Sequence, residues 1–218
     1  MFLGIYNYTV YLTYLNLFMG TLGIFLIEEN FNLKWPFICL FLAGVCDMFD
    51  GAVSNLKKNK NIKEKRYGVQ IDSLADIISF GVLPILIGNK LFEECFKDCY
   101  SSILHFLLRI FVFTVFGLYI LAVLIRLAYF NVLSEEYLNL DPCQEKNNNK
   151  IYIGLPVTVV SFIFPILYLI EFLIKENFAN LSLVSVFFKF VYVFFILGLS
   201  FLFVCDKIKF KKPKFLFF

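Results

Sequence analysis

Six apolar stretches, at about 8–27, 35–54, 69–92, 103–130, 153–174 and 181–204, dominate this chain of 218 residues. Each is near or above the roughly 20 residues that a helix needs to cross a ~30 Å hydrocarbon core at ~1.5 Å per residue. Inside a bilayer every backbone N–H and C=O must be satisfied within the protein, and for single segments of this length the α-helix is the structure that does so. The sequence therefore predicts an all-α, polytopic integral membrane protein with six transmembrane helices, a single domain over 1–218. Composition agrees, since 60% of residues are hydrophobic, above the ~45–50% of ordinary soluble domains.

The connectors fix an orientation. The second and fourth connectors and the tail from Asp206 carry Lys57, Lys58, Lys60, Lys63, Lys65, Arg66, Lys146, Lys150, Lys207, Lys209, Lys211, Lys212 and Lys214. The first, third and fifth carry Lys34, Lys97 and Lys175, with Lys90 nearby. Basic loops stay in the cytoplasm, so both termini are expected there, in a cytoplasmic (inner) membrane. The Lys-rich tail, interleaved with Phe210 and Phe215, suits anionic headgroups as well as plain solvent. The N-terminus has neither a basic n-region nor a small-residue cleavage site ahead of its apolar run, which reads as a retained span. A net charge of +3, spread over loops, excludes nucleic acid as a partner. Of six cysteines only Cys95 and Cys99 are close in sequence, as two free thiols or a disulfide, and no metal-ligand cysteine spacing occurs.

Against this background four carboxylates are out of place, because acidic groups at membrane depth are costly and ordinarily serve an ion, a proton or a substrate. Asp47 and Asp50 close the second span in CDMFDG, and Asp72 and Asp76 open the third in GVQIDSLAD. Spacings of i, i+3 and i, i+4 put each pair on one helical face. The short basic loop between the spans makes them antiparallel, so both pairs reach one depth. Four converging carboxylates repel strongly unless cations intervene. Oxygen ligands without His or Cys select Mg²⁺ or Mn²⁺, and two such ions suit phosphoryl transfer. The structural alternative is helix-end capping or pairing with Lys57 or Arg66. Gly51 and Gly68 flank the pairs and would let backbone approach a phosphate or ribose.

These residues resemble the signature of the CDP-alcohol phosphotransferases, D-x-x-D-G-x-x-A-R followed after a spacer by G-x-x-x-D-x-x-x-D, at Asp47, Asp50, Gly51, Gly68, Asp72 and Asp76. The strings TYLNLFMG (with Thr13 and Asn16), IDSLADIISFGVLP, RLAYFNV and GLPVT resemble the bacterial-type phosphatidylserine synthases within that family, over nearly the whole chain. The resemblance implies a six-helix homodimer that transfers the phosphatidyl group of CDP-diacylglycerol to L-serine, releasing CMP at the cytoplasmic face. It makes Asp47, Asp50, Asp72 and Asp76 the metal site, Asp76 the base for the serine hydroxyl, and Gly51, Ser54 and Gly68 the nucleotide side. One departure stands out: Ser54-Asn55 occupies the place of the signature's Ala-Arg. Lys57, Lys58 or Arg66 would have to supply the missing charge, without the two-pronged geometry of arginine.

Arg126, near the cytoplasmic end of the fourth span, is a candidate for serine's carboxylate or a lipid phosphate, with snorkelling as the alternative. Arg109 and Lys189 fall in the opposite half of the membrane and His105 far from the aspartates, so none is assigned a role. Gly154, Pro156 and Thr158 would border the acceptor only by analogy. Sister enzymes using glycerol phosphate or inositol phosphate would need more basic residues inside the cytoplasmic half than Arg126 alone. A cation carrier would need polar groups through the membrane depth or matched broken helices, and neither is present in the sequence. A metal- and nucleotide-binding relative without turnover is the third reading.

Overall fold

The structure, a computed structural model, describes residues 10–56, 61–95, 103–139, 151–177, 181–207 and 209–211. Its helices are α1 (Tyr11–Glu28), α2 (Lys34–Leu56), α3 (Ile62–Asp76), α4 (Leu83–Cys95), α5 (Ile103–Asn139), α6 (Val160–Asn177) and α7 (Leu181–Val204). A π-helical segment, Ile77–Val82, joins α3 to α4 without interruption, so the seven helices form six rods. Among the described residues, five rods are long and apolar enough to cross a membrane. The sixth, α2, has 23 residues, enough for ~35 Å, but Asp47 and Asp50 lie inside its final turns.

The central rod runs through α3, the π segment and α4. Its apolar stretch is 61% buried, against 28–33% for the other four qualifying spans. Helices α1, α2, α5 and α7 pack directly against it, and α6 bridges α2 and α7. Phe80, Leu83 and Ile87 of the rod, Leu40 of α2, Tyr119 of α5, Phe164 of α6 and Ile196 of α7 form the fully buried centre.

The helices are inverted relative to those of a soluble protein. The buried face of α1 is Thr13, Asn16, Gly20, Gly23 and Ile27, while Tyr11, Leu15, Phe18 and Phe25 face outward. Lipid is as apolar as leucine, so burial of apolar surface gives little reason for helices to associate. Close packing of small residues and hydrogen bonds take its place. Gly20 lies directly on Ser79, and Gly44 on Ser161, so that a Cβ at either glycine would overlap the serine. In α7 the seven-residue repeat Phe187, Phe194 and Phe201 is exposed, and Tyr192, Ile196, Leu199 and Phe203 are buried.

The π segment has a local cause. Pro84 lacks an N–H, and in an α-helical register its ring presses on the carbonyl four residues back, that of Phe80. Here the Leu83 N–H reaches back five residues to the Ile78 carbonyl. The Phe80 carbonyl accepts a hydrogen bond from Tyr119 Oη at 2.6 Å, and the Pro84 carbonyl one from Tyr192 Oη at 2.9 Å. Tyr119 thus serves the carbonyl that Pro84 cannot, and Tyr192 adds a second side-chain hydrogen bond to the backbone of the same turn.

Three boundaries differ from expectation. The third rod starts at Ile62, within the connector expected up to Gly68. The fourth helix continues to Asn139, because Ser134, Glu135 and Glu136 end the apolar run without ending the helix. The fifth span opens with strand β1 (Ile151–Ile153) and a 3-10 turn, Val157–Val159. The basic tail contributes strand β2 (Lys209–Lys211), antiparallel to β1 with Tyr152 opposite Phe210, a small ribbon added to the all-helical body.

Candidate metal centre

The end of α2 and the start of α3 bring the carboxylates together. Because the two helices run in opposite directions, Asp50 meets Asp72 toward the helix ends and Asp47 meets Asp76 deeper in, each within side-chain hydrogen-bonding reach. Asp47, Asp50 and Asp72 each offer an oxygen within 4.8 Å of the others, a separation that ions bound at ~2.0–2.6 Å from each oxygen can bridge. Asp76 lies beside this trio and is almost wholly buried, at 6% exposure.

Helix α1 supplies the donors. Thr13 Oγ1 donates to Asp50 Oδ2 at 3.0 Å, and Asn16 Nδ2 to Asp76 Oδ1 at 3.0 Å. Ser79, in the first turn of the π segment, donates to the Asn16 main-chain carbonyl at 3.0 Å. On the other side of α3, Ser73 Oγ donates to Asn131 Oδ1 of α5 at 2.7 Å. Among the described residues, two buried acceptors, Asp72 Oδ1 and Asn16 Oδ1, have no hydrogen-bond partner. A buried acceptor left without a partner carries a desolvation penalty of ~1–3 kcal/mol. A cation beside Asp72 would remove that cost. With ligand atoms that are all carboxylate oxygens, the cluster fits Mg²⁺ or Mn²⁺.

The other candidate residues are spread around this cluster. A Cβ on Gly51 or Gly68 would meet nothing within 4 Å among the described residues, whose packing does not require glycine there. Ser54 lies on α2 with its side chain outside the described set, and Lys58 falls outside the described residues. Arg66 Nε is 3.8 Å from Glu135 Oε1, both half-exposed, at a shallow cleft shared with Val69, Gln70, Asn131 and Ser134.

Arg126 is buried, but against the end of α7. Its Nη1 donates to the Phe203 carbonyl at 3.3 Å, and its guanidinium lies 4.7 Å from the Phe130 ring centroid. Gly154, with φ +79°, presses against the same guanidinium. Thr158 supplies the carbonyl for Ser161 Oγ at 2.6 Å. In the opposite half of the molecule Arg109 is 3.9 Å from Glu93 and Lys175 2.5 Å from Glu171. The side chain of His105 is outside the described set.

Sequence reasoning located the four aspartates but gave no role to Thr13 and Asn16. Their signal was present: two polar residues at i, i+3 on the face of a mostly apolar helix that also carries Gly20 and Gly23, where a buried polar group must find a partner.

The family model for CDP-alcohol phosphatidyltransferase matches residues 6–204. The archaetidylserine synthase of Methanothermobacter thermautotrophicus is 30% identical over 161 residues, 74% of this chain. The chain spans 57% of that relative's length. No solved structure matches. With the match covering all six rods and the two aspartate pairs, this chain belongs to the CDP-alcohol phosphatidyltransferase family.

Proposed function

We propose that this chain transfers the phosphatidyl group of CDP-diacylglycerol to the hydroxyl of L-serine, forming phosphatidylserine and CMP. The family supports phosphatidyl transfer to an alcohol, and the relative named for a serine lipid favours serine as that alcohol. The observation that carries the reading is the convergence of Asp47, Asp50 and Asp72 on one ligand-sized space, with Asp76 buried beside it and held by Asn16.

In this reading the serine oxygen forms a bond to the phosphorus bearing diacylglycerol. The phosphoanhydride bond to CMP breaks, and CMP departs with the bridging oxygen. Asp76 takes the hydroxyl proton. It accepts a hydrogen bond from Asn16 on Oδ1, and its second oxygen serves the proton. Mg²⁺ or Mn²⁺ held by the aspartates supplies the positive charge that offsets the donor diphosphate. Gly51, Ser54 and Gly68 border the nucleotide, and Arg126, Lys58 and Arg66 are the cations assigned to serine's carboxylate or a phosphate, a role for which Arg126 would leave the Phe203 carbonyl and Arg66 would leave Glu135. The remaining parts of the reading are a homodimer, a single domain, and a cytoplasmic-side site in the inner membrane.

The test is incorporation of labelled L-serine into extractable lipid by membranes containing the protein, with and without CDP-diacylglycerol and Mn²⁺ or Mg²⁺. Label should depend on both donor and metal, and Asp76→Asn should lower it by ~10²–10⁴-fold, the range for loss of a positioned base. Label from glycerol phosphate or inositol phosphate instead would reassign the acceptor. Inertness toward all three would leave a binding protein, the outcome that Ser54-Asn55 would then explain.

A further inference from the structure

We propose that α1 is the positioning element of the metal centre. Asn16 and Thr13 each fix one carboxylate, so that the cluster is presented to divalent ions with its ligand oxygens already oriented. The inference rests on the reading of the aspartates as ligands to divalent ions, and it concerns residues that touch neither substrate nor ion.

Thr13 and Asn16 are one helical turn apart on the buried face of α1. Their donors are divided: Thr13 serves Asp50, the last aspartate of the first pair, and Asn16 serves Asp76, the last of the second. Each bond occupies one oxygen of its carboxylate and fixes the side-chain torsions that aim the other. The amide also has a defined sense, because its NH₂ faces the carboxylate while Asn16 Oδ1 is left buried without a partner. That arrangement favours a fixed, acceptor-only carboxylate over one free to turn away.

Asn16 is in turn held from both sides. Its own carbonyl accepts from Ser79, and Gly20, one turn on, lets α1 approach the Ser79 backbone to contact distance. Ser79 belongs to the π segment that begins directly after Asp76. The irregular turn thus places Asp76 and the residue that clamps its partner on the same side of the rod. Outer partners of metal-binding carboxylates act through orientation, and their loss typically costs ~10–100-fold in metal affinity or activity.

The experiment titrates the purified full chain in detergent with Mn²⁺ alone, following free Mn²⁺ by electron paramagnetic resonance. Asn16→Ala should weaken Mn²⁺ binding about tenfold or more, and Thr13→Val should weaken it in the same direction. Tyr192→Phe serves as control, since it removes a buried hydrogen bond to the Pro84 carbonyl without touching α1 or the aspartates. It should lower thermal stability and leave Mn²⁺ affinity unchanged. Where serine transfer is active, Thr13→Val, which frees Asp50 and leaves the Asn16–Asp76 bond in place, should regain turnover as Mn²⁺ is raised, a rescue that a folding defect does not allow. Unchanged Mn²⁺ affinity in Asn16→Ala, or an equal loss in Tyr192→Phe, overturns the proposal. If Asn16→Ala does not fold, Thr13→Val decides by the same criterion. A wild-type chain that binds no Mn²⁺ sinks the positioning role as well, whereas Mn²⁺ binding without serine transfer sinks the substrate reading alone.

Discussion

Gly154 illustrates how one residue can be required by two constraints at once. Its φ of +79° lies in the left-handed region, which costs an L-residue with a Cβ ~1–2 kcal/mol. A Cβ there would also collide with the Arg126 guanidinium, which is engaged with the Phe203 carbonyl. Gly154→Ala should therefore lower the thermal midpoint of the purified protein, with a penalty of at least ~1–2 kcal/mol. An unchanged midpoint would mean that the turn relaxes without cost. The sequence pointed to Gly154 by analogy with an acceptor pocket, but the physical constraint is the close approach of a buried arginine. Residues far apart in sequence, 126, 154 and 203, create it, so no local pattern could reveal it. The aspartates were legible for the opposite reason, since each pair makes sense within a single turn of helix.

Among the elements, the six rods could be read from apolar length, and the last of them, 181–204, coincides with α7. The π segment could not, because its sequence, IISFGV, is ordinary apolar helix. What allows it is Pro84 on one side and Tyr119 on a different helix, and only the fold brings the hydroxyl to the Phe80 carbonyl. Hydrogen bonds between membrane helices contribute ~0.6 kcal/mol on average and up to ~1.7. Tyr119 is fully buried and its bond is short, so Tyr119→Phe should cost about 1 kcal/mol, measured by unfolding in mixed micelles. Full stability in that variant would show that packing alone holds the π segment. The extension of α5 to Asn139 escaped detection because hydropathy marks where lipid ends, and a helix built from good formers such as Leu133, Glu135 and Glu136 continues past that point.

The whole molecule has a sidedness that follows from two independent lines. Strand β1 lies between α5 and α6, and strand β2 follows α7. Their pairing requires the fourth connector and the tail to share a face, as two crossings by α6 and α7 demand. The meeting of Asp47 and Asp50 with Asp72 puts the α2–α3 connector at the same face as the carboxylates. These are the three segments that hold thirteen Lys and Arg in the sequence, against four at the other end. Basic loops are retained in the cytoplasm, so the metal centre should open there. Cys143 lies in the fourth connector and Cys99 in the third, which gives each face a natural reporter. In variants that keep only one of these cysteines, a membrane-impermeant maleimide should label Cys99 in intact cells and Cys143 only after the membrane is opened. The reverse pattern would invert every span and carry the carboxylates to the outer face. Labelling of both cysteines in intact cells would mean that α5, the single rod between them, does not cross the bilayer.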